Sequence, residues 1–128
     1  MYETENIAIV RRFVEEIGKG NLSVIDELFS PYFISNDDAV PSDLALLKRY
    51  TAETIYAFEY THRSSNYSAQ EDLVTVYEER TFRLVNPYLD GQVFDQKLRT
   101  IKTYSVWRIS NGKIVEYVKG EVLSFEEH

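Results

Sequence analysis

A carboxylate and a guanidinium lie two residues apart in the middle of an alternating run from Leu73 to Val85. Because strand side chains alternate between two faces, Glu78 and Arg80 share a face with the apolar residues at both ends of that run. Each ion costs several kcal/mol to desolvate unless it is paired or opens into a hydrated cavity. The pattern therefore predicts a pocket floored by Glu78 and Arg80, with a structural ion pair or a solvated face as the alternatives.

The stretch from Asp72 to Val122 supplies most of the strands that would position this pair. The predicted strands are 73–85, 92–109 and 113–122, preceded by a weaker one over 61–71. Turns are expected at Asp90-Gly91 and at Asn111-Gly112. Near Thr103 the apolar residues change parity, which indicates either that both faces are covered or that a bulge lies there.

Helical periodicity precedes these strands. The predicted helices run from Thr4 to Gly18, from Asn21 to about Ser30, and from Pro41 or Ser42 to about Tyr60. Thr4 and Asn21 are the expected caps of the first two helices, which end at glycine and before Pro31. Tyr32-Phe33-Ile34 predicts a short strand or a buried connection between the second and third helices.

Helices followed by antiparallel strands are typical of an α+β fold. We expect a single domain over residues 1–128, with three N-terminal helices packed in the concave face of a strongly curved, mostly antiparallel sheet. Long strands that bend over a helix would form a cone-shaped α+β barrel that is open at one end. Polar groups on its inner wall would make the cone a ligand cavity.

Charge and composition exclude several classes of partner. The chain has 128 residues, 14 basic and 21 acidic side chains, and a net charge of −7. Nucleic acid needs a concentrated positive surface, and no cluster of Lys or Arg here exceeds a pair. Cysteine is absent, which excludes thiol catalysis and zinc–thiolate sites. No apolar run is long enough for a membrane span or a signal peptide, so we expect a cytoplasmic protein without membrane contact.

Segments near both ends of the chain resemble a known family. They are Asn6 to Glu16, Gly20-Asn21-Leu22, Ile25 to Phe29, Tyr32-Phe33, Trp107-Arg108-Ile109 and Asn111 to Tyr117. These segments resemble the SnoaL-like polyketide cyclases of the nuclear-transport-factor-two-like superfamily, whose fold is a cystatin-like cone. The resemblance implies a homodimer that binds a small hydrophobic molecule and uses no cofactor. It specifies the family well and the activity poorly, because this fold hosts both enzymes and non-catalytic binders.

The resemblance also implies roles for particular residues. In the family, an aromatic residue on the last strand is followed four positions later by an aspartate that acts as general acid or base. Here these positions hold Tyr117 and Glu121. Four residues along a regular strand keep both side chains on one face. The family's aromatic–His–acid element corresponds to Phe33 and the residues after it, with Asn36 where histidine is common.

The Glu78 and Arg80 pair resembles, in reversed order, the Arg-x-Asp arrangement of limonene-epoxide-hydrolase relatives. In those enzymes a second carboxylate on the last strand positions water, a role that Glu121 would take. We therefore expect the catalytic residues to be Glu121, Glu78, Arg80 and Tyr117, and the substrate contacts to be Tyr56, Tyr104, Asn36 and Phe33. The chemistry would be acid–base catalysis of a cyclase, isomerase or epoxide-hydrolase type.

A non-catalytic ligand-binding or dimerisation module of the same fold is the alternative. It predicts that replacing the acidic residues alters stability or affinity rather than turnover. In either case we expect the open outer face of the sheet, with Trp107 and Ile109 or their neighbours, to form the homodimer surface.

Three polar features have a structural interpretation. His62 is expected to make a surface or core polar contact. Asp37-Asp38 has no supporting His or Cys, so we expect a solvated turn and no metal site. Lys102 would lie opposite Glu121 as a cross-strand pair if the Asn111-Gly112 turn has two residues.

Overall fold

The computed structural model describes residues 2–85 and 97–128. The elements in chain order are α1 (Tyr2–Gly18), α2 (Ser23–Leu28), β1 (Phe29–Ser35), α3 (Leu44–Ala57), β2 (Phe58–Gln70), β3 (Leu73–Leu84), β4 (Arg99–Ser110) and β5 (Lys113–Glu127). The predicted α+β class is confirmed. The expected turn at Asp90-Gly91 and the first residues of the strand predicted from Gln92 lie outside the described residues. Among the described helices, none is long and apolar enough to cross a membrane.

The strands form one curved sheet in the order β1-β5-β4-β3-β2. Neighbours from β2 to β5 are antiparallel, and the edge strand β1 runs parallel to β5. The prediction of a mostly antiparallel sheet is therefore confirmed. Asn111 and Gly112 form a two-residue turn with φ values of 51° and 75°, the left-handed backbone that such hairpins require.

The first two helices begin differently from the prediction. α1 begins at Tyr2, so Thr4 lies inside the helix rather than at its cap. Leu22, instead of Asn21, is the cap residue of α2, and it makes no side-chain capping bond. The Asn21 side chain instead accepts a hydrogen bond from the Ser23 hydroxyl at 2.6 Å.

Asp43 begins α3 by accepting a hydrogen bond from the Leu46 amide at 3.0 Å. The helix ends at Ala57 rather than at Tyr60 as predicted. Phe58 has an extended backbone and is the first residue of β2, so the chain changes directly from helix to strand.

The two faces of the sheet have different environments. Val74 and Val76 of β3 are 0% and 1% exposed and pack in the core with Val10 of α1. Directly opposed residues of antiparallel strands share a face, so the pairing of Val74 with Trp107 extends this face to β4. We call the face that packs on the helices the inner face and the opposite one the outer face.

An aromatic cluster fills the core between α1, α2, β1 and the inner face. It consists of Phe13, Phe29, Phe33, Trp107 and Tyr117, with ring centroids of contacting pairs 4.8 to 6.5 Å apart. Trp107 and Ile109 are 9% and 3% exposed on this inner side. The prediction that they belong to an outer dimer surface is therefore wrong.

Strand β5 contains three extra residues relative to β4. The register moves by one position at Val115, at Val118 and at Leu123, while β4 stays in regular register with β3. Because β4 itself is regular, the change of parity seen near Thr103 reflects cover on both of its faces: Val106 is 7% exposed on the outer face and Trp107 is 9% exposed on the inner face. The extra residues lie on the partner strand. Each bulge bends β5 and changes which parity of its side chains faces inward.

Gly120 accommodates the ring of Tyr117 on the inner face. An ideal Cβ at Gly120 would overlap the Tyr117 hydroxyl oxygen and lie 3.0 Å from its Cζ. The absence of a side chain at Gly120 therefore allows Tyr117 to lie flat along β5 and contact Trp107, with ring centroids 4.8 Å apart.

We expect Gly120→Ala to lower the free energy of unfolding by about 1–3 kcal/mol, the usual cost of overpacking. Removing the hydroxyl in the double variant Tyr117→Phe/Gly120→Ala should recover part of that loss, because the two groups compete for one space. Chemical denaturation of the wild type, both single variants and the double variant measures the coupling. Strictly additive losses would show that the two positions do not interact.

Candidate functional site

The structure places Glu78 and Arg80 on the inner face, as their position in the alternating run predicted. The neighbouring strands add polar side chains beside them. Arg63 of β2 lies directly opposite Arg80, and Thr103 of β4 lies directly opposite Glu78. We call Arg63, Glu78, Arg80 and Thr103 the inner polar cluster.

Glu78 is held by Arg63. The distance from Arg63 Nη2 to Glu78 Oε2 is 3.5 Å, and the Glu78 side chain is 15% exposed. An ion pair in such a position pays a large desolvation cost, which its mutual attraction offsets only when further polar partners are present. The Glu78 carboxylate is thus partly withdrawn from water, oriented by a cation, and still reachable from the inner face.

Arg80 has fewer partners than its charge requires. Its Nη2 lies 3.4 Å from the Thr103 hydroxyl, which is a long hydrogen bond. Its Nε is buried and has no hydrogen-bond partner among residues 2–85 and 97–128. A guanidinium with an unsatisfied buried donor costs free energy, so this position is suited to receive an acceptor group from a ligand.

A cleft between α1 and β2 opens beside the inner polar cluster. It has a volume of about 650 Å³, which is within the usual range for small-molecule sites. Its lining residues are Arg11, Val14, Glu15, Gly18 and Lys19 of the α1 side, and Arg63, Ser65, Asn66 and Tyr67 of β2. We call it the α1–β2 cleft. Arg63 belongs both to this cleft and to the inner polar cluster, so the two are continuous.

Tyr67 contributes a hydroxyl to the α1–β2 cleft. Burial raises the pKa of this hydroxyl, and the negative charge of Glu78 raises it further, although a hydrogen bond with Ser65 acts in the opposite direction. The Arg11 guanidinium lies over the Tyr67 ring, 5.0 Å from its centroid. At neutral pH, Tyr67 is therefore a neutral hydrogen-bond donor held against a cation.

Tyr117 lies on the inner face as predicted, but its ring belongs to the aromatic core. It is 7% exposed, and its hydroxyl lies over Gly120. Burial raises the pKa of the Tyr117 hydroxyl, and the negative charge of Asp37 adds to the effect. Its position favours packing over contact with a reacting group.

Glu121 and Tyr104 lie on the outer face. They are directly opposed in β4 and β5, and the Tyr104 hydroxyl donates to Glu121 Oε2 at 2.9 Å. This bond raises the pKa of the Tyr104 hydroxyl. The expectation that Glu121 shares a face with Tyr117 is wrong because the extra residue Val118 lies between them and changes the parity of the strand.

The Asn36 side chain is part of an ion-pair network and does not line the cavity. Its side-chain amide donates to Glu116, and Glu116 also accepts from Arg108 Nε at 2.8 Å. Arg108 reaches Asp72 as well, at 2.9 Å. The hydrogen bond from Arg108 is the main cause of the lowered pKa of Glu116. The Asn36 amide is therefore engaged away from the inner polar cluster, contrary to its predicted role as a substrate contact.

The other two predicted substrate contacts are also displaced from the inner polar cluster. Phe33 is 4% exposed and packs against Phe29 and Trp107 inside the aromatic core. Tyr56 is 63% exposed on α3. Phe33 therefore stabilises the fold, and Tyr56 belongs to the surface.

Of the three remaining polar features, His62 makes the kind of contact expected and Lys102 does not. His62 Nε2 lies 3.4 Å from Glu79 Oε2 at the surface, as the predicted polar contact. Lys102 pairs with Glu79 at 3.6 Å and lies opposite Ser124, so its predicted pairing with Glu121 is wrong, because the bulges shift the register. Asp37 Oδ1 accepts from the Ala39 amide in a turn. Within the described chain, no three acidic or histidine side chains are close enough to hold a metal ion.

Arg63 and Tyr67 were missed as site residues because the strand over 61–71 has a weak pattern. A signal for them was nevertheless present. Glu71-Asp72 forms a two-residue turn, and this turn sets Arg63 opposite Arg80 and Tyr67 opposite Val76. Recognising that turn from its acidic pair would have placed both residues on the inner face.

The raised pKa values of Tyr67 and Tyr117 predict a loss of stability at high pH. Both hydroxyls ionise more readily in the unfolded chain, so their contribution is complete below about pH 10, the ordinary tyrosine value, and is lost as pH rises through the folded-state pKa. The double variant Tyr67→Phe/Tyr117→Phe should lose less unfolding free energy between about pH 9 and pH 11 than the wild type.

Denaturant titrations at the two pH values measure this difference. Tyr32→Phe is the control, since Tyr32 is 87% exposed. An equal pH dependence in the double variant and the control variant would contradict the assignment.

The sequence comparisons give no match, whereas the fold has many relatives among solved structures. No family model and no curated protein matches the chain. A candidate SnoaL-like polyketide cyclase from Jannaschia sp. CCS1 superposes with a TM-score of 0.78 at 20% identity, over 94% of this chain and 87% of that chain. AclR from Streptomyces galilaeus, a candidate hydroxylase, superposes with a TM-score of 0.72 at 20% identity, over 94% of this chain and 90% of that chain.

An LEH-like epoxide hydrolase from M. tuberculosis is also similar. Its TM-score is 0.69 at 9% identity, over 95% of this chain and 85% of that chain. Identities this low establish the fold and not the activity. The fold that the sequence resemblance implied is confirmed: the chain has the α+β cone fold of the SnoaL-like polyketide cyclases and the nuclear-transport-factor-two-like superfamily.

Proposed function

We propose that the protein binds a small, largely apolar molecule on the inner face of the sheet and acts on it by cofactor-independent acid–base catalysis. The observation that carries this proposal is the Glu78 carboxylate, 15% exposed and held by Arg63 on the same face whose apolar end packs against the helices. A charge in this position is costly unless its partners are complete, and incompletely partnered charges of this kind cluster at functional sites.

Glu78 is the general base of the proposed site. Its neighbour Arg80 has an unsatisfied buried donor among the described residues and is placed to stabilise developing negative charge on the substrate. Tyr67 remains protonated at neutral pH and supplies a hydrogen-bond donor. Glu121, on the outer face, has no part in this assignment, so the second carboxylate of the epoxide-hydrolase arrangement is not reproduced.

The apolar part of the ligand has a surface to bind. Val122 and Phe125 of β5 lie opposite Thr103 and Ile101, so they belong to the inner face. They are 57% and 51% exposed, which is high for apolar side chains on the helix-facing side of a sheet. This apolar surface adjoins the inner polar cluster at Thr103.

A non-catalytic ligand-binding module is the second candidate, and one observation favours it. Of the four residues expected to be catalytic, Tyr117 is packed in the core and Glu121 faces outward. Glu78 and Arg80 then remain to perform any chemistry. A test of the function must therefore distinguish turnover from binding.

The base-sensitive compound 5-nitrobenzisoxazole provides this test. A general base removes its ring C–H proton, the N–O bond breaks, and a coloured cyanonitrophenolate is released. We expect the wild type to accelerate this reaction and Glu78→Gln to reduce the rate about a hundredfold or more, as for loss of a positioned base. Absorbance of the released phenolate measures the rate, and denaturant titration checks that the variant folds.

Glu121→Gln is the matched control, because it makes the same change on the outer face and should leave the rate unchanged. Equal losses in the two variants would contradict the assignment of Glu78. Saturable binding of the compound without turnover would support the non-catalytic module.

We also propose that the protein is a homodimer joined through the outer face. The Tyr77 and Tyr104 rings lie together there with centroids 6.1 Å apart, and Leu123 is 55% exposed. A shallow depression of about 270 Å³ includes Tyr77, Lys102 and Leu123. Exposed aromatic and apolar groups in this arrangement are typical of an isologous interface.

Sedimentation velocity at micromolar concentration should show a dimer of the wild type. Tyr77→Glu should shift it toward monomer, because the new charge would be desolvated at the interface. Tyr32→Glu, at an exposed site on edge strand β1, is the control and should remain dimeric. A monomeric wild type, or equal dissociation of both variants, would contradict the proposed surface.

A further inference from the structure

The α1–β2 cleft is basic although the chain is acidic. Three cationic side chains line it, Arg11, Lys19 and Arg63, against one carboxylate, Glu15. The chain as a whole has a net charge of −7. A local excess of positive charge in such a chain is an arrangement that attracts an anionic ligand.

The cations of the cleft are incompletely neutralised. Arg63 pairs with Glu78 at 3.5 Å. Arg11 stacks on Tyr67. Neither Arg11 nor Lys19 forms an ion pair within the described part of the chain. Arg80 lies directly opposite Arg63, so two arginines are neighbours on the inner face, and Glu78 pairs with Arg63. Like charges in this position are destabilising unless an anion lies near both.

A structural explanation accounts for part of this charge. The carboxyl end of α1 lies at the cleft, and cations near such an end interact favourably with its carbonyl groups. Arg63 Nη1 lies close to Gly18, and Lys19 follows it. The effect extends over about one turn of helix, whereas Arg11 lies about 10 Å before the end of α1, at 1.5 Å per residue. The carboxyl end of α1 therefore does not account for Arg11, whose contact in the cleft is the Tyr67 ring.

We propose that the ligand of this protein carries a carboxylate, which Arg11 and Arg63 bind in the α1–β2 cleft beside the Tyr67 hydroxyl. This inference rests on the proposed function, because it assigns the charged end of the molecule whose apolar part lies on the inner face. Guanidinium groups match a carboxylate with two parallel hydrogen bonds. Tyr67 is a neutral donor at the same place. The ligand class is thus an organic acid with an apolar body.

Two probes that differ in charge and are nearly equal in shape test the proposal, 2-naphthoate and 2-naphthamide. Titration calorimetry at low salt should show that the wild type binds the acid about tenfold or more tightly than the amide, as expected for charge-assisted bonds. Arg11→Gln should remove most of this preference, while Arg49→Gln, the same charge change on an exposed part of α3, should retain it. Arg63→Lys tests the second arginine, retaining a cation beside Glu78 to preserve folding.

The outcomes separate this inference from the proposed function. Equal affinity of the wild type for both probes would overturn the inference and leave a ligand cavity intact, with Lys19 and Arg63 serving the carboxyl end of α1. Binding of neither probe would count against the proposed function itself. A preference for the acid that survives in Arg11→Gln and in Arg63→Lys would also overturn the assignment of these residues.

Discussion

Desolvation of charged groups on the inner face is the constraint on which the rest of this structure depends. Apolar side chains fill one end of that face, where the aromatic cluster around Trp107 packs against α1 and α2. The middle of the same face carries Arg63, Glu78 and Arg80 with fewer partners than their charges require in the described chain. Buried ion pairs are poor sources of stability. The stability of the fold therefore comes from the apolar end of the inner face, which offsets the desolvation cost of the polar middle.

The positions of the polar side chains follow from turn length and strand register. The two-residue turn at Glu71-Asp72 brings Arg63 into line with Arg80, so the cluster forms across two adjacent strands. The bulge at Val118 directs Glu121 to the outside, where Tyr104 binds its carboxylate. A single local irregularity thus decides which acidic group meets the cavity and which meets solvent.

Regular features of the chain could be predicted from the sequence, and irregular ones could not. The alternation of β3 was sufficient to place Glu78 and Arg80 on the inner face, because β3 has no extra residue of its own: the one irregularity in its pairing, Thr61, lies on β2. The same reasoning failed for Glu121, since an extra residue in β5 leaves no reliable sign in the pattern of apolar residues. Asn36 was misplaced for a different reason, because its partner Glu116 is distant in sequence. Arg63 was missed because its strand has a weak pattern.

The bulges of β5 also bear on how this strand tolerates changes in length. Tyr117 and Lys119 lie opposite consecutive residues of β4, so Val118 is a bulged residue without a partner in that strand. Losing that one residue would remove this bulge, retain those at Val115 and Leu123, and leave every later side chain opposite its present partner. A single-residue deletion at this bulge is therefore compatible with an unchanged cavity wall. In related chains, equivalent residues of this strand are those that pair with equivalent residues of β4. Position along the backbone is a poorer guide, because a bulge shifts it by one residue.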